Sequence, residues 1–199
     1  MANFISIFRI FVAFLAVYLL FIPATWAYVI AFVLTVIAFI LDGVDGYVAR
    51  KFNEASQLGS VLDIMGDRIV EATYWIIFAV LGWLSPIFPI ICIARAFTTD
   101  SLRSVALAQG YTAFGETSMQ SSKIGKFICA SKFMRISYAV AKVAAFILII
   151  AANTPGFEIY PAFDTMNMIA VTFAWIAIIF CVVRGIPVVA ESKKLFEKK

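Results

Sequence analysis

The sequence predicts an all-α integral membrane protein of six transmembrane helices, with both termini cytoplasmic. Three observations lead there. Of the 199 residues, 63% are hydrophobic and only 14% charged, against about 45–50% and about 25% in a soluble domain. Apolar runs near the roughly 20 residues that a bilayer demands recur along the chain, separated by Pro, Gly and Ser. Lys and Arg fall in alternate connections, the pattern that sets orientation in a membrane.

The first run, about 5–22, opens with "MANFISIFRIFVAFLAVYLLF". It lacks a basic leader and Arg9 interrupts its start, so it reads as a retained helix rather than a signal peptide. Pro23 separates it from a second helix at 25–49. The third, 58–82, ends at the "GWLSP" turn over 82–86. The fourth, 86–109, meets the loop "GYTAFGETSMQSSKIG" at 110–125. The fifth, 127–152, meets "NTPGFEIYP" at 153–161, and the sixth covers 164–189. Residues 1–199 read as a single membrane domain. Arg50 and Lys51 lie between helices two and three, Lys123 and Lys126 between four and five, and Lys193, Lys194, Lys198 and Lys199 in the tail. The turn at 82–86 is uncharged, and 153–164 carries only Glu158 and Asp164. Every basic connection then falls on the cytoplasmic side with both termini.

The net charge of +4 therefore speaks to orientation. No basic cluster interleaves with polar surface as nucleic-acid binding needs, so no nucleic-acid partner is expected. Cys92, Cys129 and Cys181 lie far apart in apolar runs and read as buried thiols. Histidine is absent, which removes the usual general base, the usual zinc ligand and any Ser-His or Cys-His couple. Chemistry here must use carboxylates, Lys, Arg, Tyr or a metal.

One stretch, "LDGVDGYVARKFNEASQLGSVLDIMGDR" at 41–68, breaks the apolar pattern. Asp42 and Asp45 are spaced i, i+3, and Asp63 and Asp67 i, i+4, so each pair shares a helix face. The short connection makes the two helices antiparallel neighbours and can bring the four carboxylates together at their cytoplasmic ends. Two carboxylates about 5 Å apart repel by roughly 3 kcal/mol at an effective dielectric of 20. Membrane depth adds a few kcal/mol for each ionised group. Protonation or bound cations would relieve the strain. Four carboxylates suit two divalent ions, and an all-oxygen set selects Mg2+, Mn2+ or Ca2+ over zinc or copper. Mg2+ commonly keeps positions open for water or a substrate phosphate.

The neighbouring residues suit a phosphate ligand. Gly46 and Gly59 each cost about 1 kcal/mol inside a helix relative to Ala, which points to close approach of a backbone or ligand; Ala49 is small for the same reason. Arg50 can fork two hydrogen bonds onto a phosphate. Ser56 can cap the third helix or donate to a ligand. Arg68 can neutralise Asp63 or Asp67, or hold substrate, and the structural role is preferred. A lone membrane Asp is commonly a structural hydrogen-bond partner; four on matched faces beside Arg50 and two glycines are not.

From Asp42 to Asp67 the stretch reads D-x2-D-G-x2-A-R-x8-G-x3-D-x3-D. It resembles the signature of the CDP-alcohol phosphotransferases, membrane enzymes of phospholipid synthesis, with all eight fixed positions met. The resemblance implies six transmembrane helices, a homodimer, and a site for two Mg2+ or Mn2+ ions open to the cytoplasm, in what would be a bacterial cytoplasmic membrane. It implies that Asp42, Asp45 and Asp63 ligate metal, and that Asp67 contacts the second metal and acts as the base. It implies that Gly46, Ala49, Arg50, Ser56 and Gly59 hold the CDP part of CDP-diacylglycerol. "NFISIFR" at 3–9 is similar to an N-terminal element of several members, so Asn3, Ser6 and Arg9 would line the same nucleotide site. The implied reaction is attack of an acceptor hydroxyl on the β-phosphorus of a CDP-lipid, with CMP leaving.

"IARAFTTDSLRSVALAQG" at 93–110 and "SSKIGKF" at 121–127 resemble the matching part of phosphatidylglycerophosphate synthases, through Arg95, Leu102-Arg103 and Gly125-Lys126. Members of that group use glycerol 3-phosphate. Arg95, Arg103, Lys126 and Arg135 are then expected to receive the acceptor's dianionic phosphate, with Lys123 and Lys132 as further candidates. Two features depart from that group: Ala96 stands where an acid is usual, and "FICASKFMR" replaces a Lys-Thr step. Arg68 after the last Asp is similar to inositol-phosphate-using members, so inositol phosphate, serine or another alcohol is the alternative acceptor. Lys142, deep in the fifth helix, can pair with Asp100 or Glu71. A divalent-cation transporter is the rival of another class, but such proteins commonly place broken, repeated helices at the midplane, and here the acids lie at one end of one hairpin.

Overall fold

The computed structural model describes residues 2–51, 57–111, 122–160 and 162–196, without the side chains of residues 2, 45–50, 57, 58, 60, 123, 130, 158 and 194. Among these residues the chain is all-helical: α1 (Ala2–Leu19), α2 (Thr25–Lys51), α3 (Gln57–Val80), α4 (Ile87–Ala108), α5 (Lys123–Ala130), α6 (Lys132–Ala152), α7 (Phe163–Ala190) and α8 (Lys193–Phe196), with a 3-10 turn at Phe157–Ile159. Three of them carry stretches long and apolar enough to cross a bilayer: Thr25–Val44 in α2, Lys132–Ala152 (α6) and Phe163–Ala190 (α7). α1 adds a shorter apolar run over Asn3–Leu19. α3 and α4 have comparable length, but Asp63, Asp67, Arg68 and Glu71 interrupt one, and Arg95, Asp100 and Arg103 the other.

The fifth expected segment is corrected. A single helix over 127–152 is instead two, because Ser131 turns extended at φ −63° and ψ 139°. Its hydroxyl accepts from the Met134 N–H at 3.2 Å, the bond of an N-cap residue. The Ser131 side chain thus starts α6 afresh. The turns after α3 and α6 use Gly82 (φ 76°) and Gly156 (φ 86°), left-handed conformations that other residues resist.

The chain folds as two compact units. The first comprises residues 1–86 and 143–172. In it α1 packs against α2 and α3. Ala13 and Ala16 of α1 and Ala27 and Ala31 of α2 are wholly buried. Small side chains let helix backbones approach, and in lipid that van der Waals contact is the main attraction available. An aromatic knot fills the rest. The Phe146 ring lies 5.0 Å from Tyr74, 4.8 Å from Trp75, 5.6 Å from Phe78 and 5.9 Å from Phe39, centre to centre. Thr35 donates its hydroxyl proton to the Ala31 carbonyl at 2.7 Å, so it accepts from the Tyr74 hydroxyl at 2.8 Å. Phe146→Ala removes the ring that all four neighbours share. It should cost about 3–5 kcal/mol, seen as a lower unfolding midpoint in detergent.

The second unit comprises residues 87–142 and 173–199. Its core is built on Ala106, Cys129, Val188 and Leu195, with Leu102 packed against them. The Phe88 and Trp175 rings meet at 4.8 Å. The Gln109 amide donates to the Leu195 carbonyl at 3.0 Å, tying the end of α4 to α8. Cys92, Cys129 and Cys181 are buried and form no disulfide among the described residues.

Candidate metal centre and basic cluster

The acid group of the first unit stands on α2 and α3. Helical spacing puts Asp63 and Asp67 one turn apart on α3, and Asp42 comes from α2. Carboxylate oxygens of Asp42, Asp63 and Asp67 all lie within 4.8 Å of one another. The donor set fits a hard divalent ion: three oxygens that one ion can reach, with no nitrogen or sulfur among them. The three residues are half-exposed, so the group is open to solvent on one side.

Arg9 of α1 enters this group and is itself buried, with 3% of its side chain exposed. One terminal nitrogen pairs with Asp42 and donates to Asp67 Oδ1 at 3.1 Å. The other donates to the Asp63 carbonyl at 3.0 Å and to Asp63 Oδ1 at 3.3 Å. A buried guanidinium must be paired in this way to be tolerated. Three carboxylates against one guanidinium leave a local charge of −2 (−3 + 1) among these four side chains, which one divalent cation would cancel. Gly66 makes room: a Cβ there would stand 2.9 Å from an Arg9 terminal nitrogen and 3.4 Å from its Nε. A glycine inside a helix beside Asp67 is the signal that sequence reasoning passed over.

The other expected residues of this unit are placed as follows. Ser6 of α1 is buried and Asn3 partly so. Gly59 lies in the first turn of α3. Asp45, Gly46, Ala49 and Arg50 lie on the last turns of α2 with their side chains outside the described residues, and Ser56 lies wholly outside them. Arg68 approaches Glu71 at 4.0 Å, and it is Arg9 that meets Asp63 and Asp67.

A second group of charges occupies the second unit. Arg95 and Arg103 of α4 and Arg184 of α7 all act electrostatically on the buried Cys129 thiol, and both α4 arginines act on Arg184. Arg95 lies against α7 at Gly185, where a Cβ would stand 3.0 Å from its Cγ. The guanidinium of Arg184 stands 5.4 Å from the Tyr138 ring centre, a cation–π distance. The Nε atoms of Arg95 and Arg184 are buried with no hydrogen-bond partner among the described residues. Two buried guanidinium groups with unspent donors among the described residues suit an anion of more than one charge. Arg184 was absent from the expected set. Lys126 is half-buried in the first turn of α5 and Arg135 is exposed on α6. The Lys142 ammonium stands 5.4 Å from the Tyr138 ring centre.

The family model for CDP-alcohol phosphatidyltransferases matches residues 1–183. A CDP-diacylglycerol–glycerol-3-phosphate 3-phosphatidyltransferase of Rickettsia typhi is 27% identical over 175 residues, covering 82% of this chain and 96% of that protein. One of the same name from Salmonella choleraesuis is 29% identical over 68 residues, 34% of this chain and 37% of its own length. A CDP-diacylglycerol–inositol 3-phosphatidyltransferase of Arabidopsis thaliana is 45% identical over 47 residues, 24% of this chain and only 21% of that protein. With a family match over nearly its whole length, laid on a hairpin whose aspartates converge on one point, the chain belongs to the CDP-alcohol phosphatidyltransferases, a family of enzymes.

Proposed function

We propose that the protein transfers the phosphatidyl group of CDP-diacylglycerol to glycerol 3-phosphate, releasing CMP and giving phosphatidylglycerol phosphate. The observation that carries this reading is the convergence of Asp42, Asp63 and Asp67 within 4.8 Å in a chain of this family. Two observations favour the acceptor. The similarity to glycerol-3-phosphate-using relatives runs along 82% of the chain, and the second unit holds two arginines, Arg95 and Arg184, whose buried Nε atoms have no hydrogen-bond partner among the described residues.

In this reading Asp42, Asp45, Asp63 and Asp67 hold two Mg2+ or Mn2+ ions. Gly46, Ala49, Arg50, Ser56 and Gly59, with Asn3 and Ser6, hold the CDP moiety. Arg9 balances the carboxylates and faces the same diphosphate. Arg95, Arg103, Arg184, Lys126 and Arg135 receive the acceptor phosphate. The acceptor oxygen attacks the β-phosphorus, the bond from that phosphorus to the CMP oxygen breaks, and the hydroxyl proton passes to the Asp67 carboxylate. Divalent ions, when bound, neutralise the diphosphate and the charge growing on departing CMP. Carboxylates are weak bases toward alcohols, so positioning of the acceptor by the arginines and electrostatics supply most of the rate.

The same reading places α1, α2, α3, α4, α6 and α7 as six spans of one domain in a bacterial cytoplasmic membrane. Both termini and the acid group face the cytoplasm, and the enzyme is a homodimer. The basic residues Arg50, Lys51, Lys123 and Lys126 between helices support the orientation.

Purified protein given CDP-diacylglycerol, Mg2+ and one acceptor at a time should release CMP with glycerol 3-phosphate. CMP with serine alone, or with none, overturns the proposal. CMP with an inositol acceptor alone establishes the second reading, which the stretch of 45% identity to the plant transferase favours.

A further inference from the structure

We propose that Glu191 is a positioning residue that sets the acceptor site by clasping the first turn of α5; this rests on the acceptor reading above. Glu191 directly follows α7. Its Oε1 accepts from the Ser122 hydroxyl at 2.6 Å, and its Oε2 from the Ser122 N–H at 3.4 Å. The Ser122 oxygen accepts in turn from the Gly125 N–H at 2.9 Å. Ser122 is therefore the N-cap of α5 and is itself held by a carboxylate. Charge-assisted bonds of this kind are shorter and stronger than neutral ones, and a negative charge is stabilised at a helix N-terminus.

The clasp explains Gly125. The residue is buried, and a Cβ there would run into Glu191 Oε1 and stand 2.8 Å from Ser122 Oγ. Only glycine lets the carboxylate lie over this turn. The next residue is Lys126, whose N–H donates to the Ser122 carbonyl at 3.0 Å, so its backbone is fixed by the same turn. The end of α7 thus serves the acceptor cations in three ways. It carries Arg184, it backs Arg95 at Gly185, and through Glu191 it sets Lys126. Cys129 of the same short helix lies 3.5 Å from the Arg184 carbonyl through its sulfur, so the helix that Glu191 clasps packs against the segment carrying Arg184.

The test is a cycle of Glu191→Ala, Gly125→Ala and the double variant, assayed by CMP release and by hydrogen–deuterium exchange. Each single change should raise KM for glycerol 3-phosphate about tenfold, as small displacements of a positioned group do. Both kcat and KM for CDP-diacylglycerol should stay within about twofold. The double variant should be no worse than Glu191→Ala, because the alanine at 125 no longer meets a carboxylate. Exchange over residues 122–130 should rise in Glu191→Ala while α1 to α3 stay unchanged. Glu191→Gln should lie between Glu191→Ala and the parent, since it keeps the bonds without the charge. Unchanged KM and exchange, additive singles, or equal losses in kcat and both KM values overturn the proposal. If the parent enzyme uses another acceptor, the reading above falls, and the clasp is judged by exchange and by KM for that acceptor.

Discussion

Asp67→Asn should lower CMP release by about 10²–10⁴-fold, the range of a lost general base, while CDP-diacylglycerol still binds. The substitution keeps the volume of the side chain. Its amide oxygen can still accept from Arg9, which now donates to Asp67 Oδ1 at 3.1 Å, so the buried guanidinium keeps its setting. Asp42 and Asp63 remain to hold a cation beside the diphosphate. What disappears is the group that takes the acceptor's proton, together with one negative charge. Asp63→Asn is the contrast. Its side chain is the more exposed of the two, at 54% against 47%, and its assigned work is metal binding alone. Raising Mg2+ should therefore restore much of the Asp63→Asn activity and none of the Asp67→Asn activity. The measurement is CMP release across a metal titration, paired with equilibrium binding of CDP-diacylglycerol. Normal turnover in Asp67→Asn, or its rescue by metal, would refute the assignment of the base.

The helices were legible where their apolar length is uninterrupted. The expected 25–49 and 164–189 correspond to Thr25–Lys51 and Phe163–Ala190, because long runs with few charges, placed toward their ends, admit few other readings. Gly82 and Gly156 marked turns that do need left-handed backbone. The break at Ser131 was missed because apolar residues continue on both sides of it. Hydropathy has no term for a serine that caps the next helix, although Ser131 followed three residues later by a satisfied Met134 N–H is a local signal of that kind.

At the site, periodicity put Asp63 and Asp67 on one face, and their meeting with Asp42 follows from a short helical hairpin. Arg9 could not be read as their partner, since the pairing joins residues 54 and 58 positions apart. Local spacing suggested Arg68 instead, which sits beside Glu71. Arg184 was overlooked for a similar reason. It lies inside α7, a long and strongly apolar helix, and only tertiary packing brings this turn against Arg95 of α4, which lies against Gly185. A charged residue deep in an apolar helix is costly, and that cost is the sequence signal that would have flagged it.

Arg184→Gln should raise KM for glycerol 3-phosphate by about 10–100-fold, the worth of a hydrogen bond to a charged group, with KM for CDP-diacylglycerol unchanged. The Arg184 guanidinium is held against Tyr138 at 5.4 Å, yet its Nε is buried without a hydrogen-bond partner among the described residues, as is that of Arg95. Natural folds rarely leave such donors unspent. A phosphate dianion arriving among Arg95, Arg103 and Arg184 would satisfy them and relieve the mutual repulsion of the three cations. Arg184→Lys keeps the charge but loses the planar fork, so it should fall between the parent and Arg184→Gln. Arg184→Gln combined with Arg95→Gln should cost less than the sum of the two, because both act on one phosphate. Glycerol, which lacks that phosphate, should be used equally poorly by parent and variant. An equal loss with glycerol, or a rise in KM for CDP-diacylglycerol, would show that Arg184 supports the fold of α7 and not the recognition of an anionic acceptor.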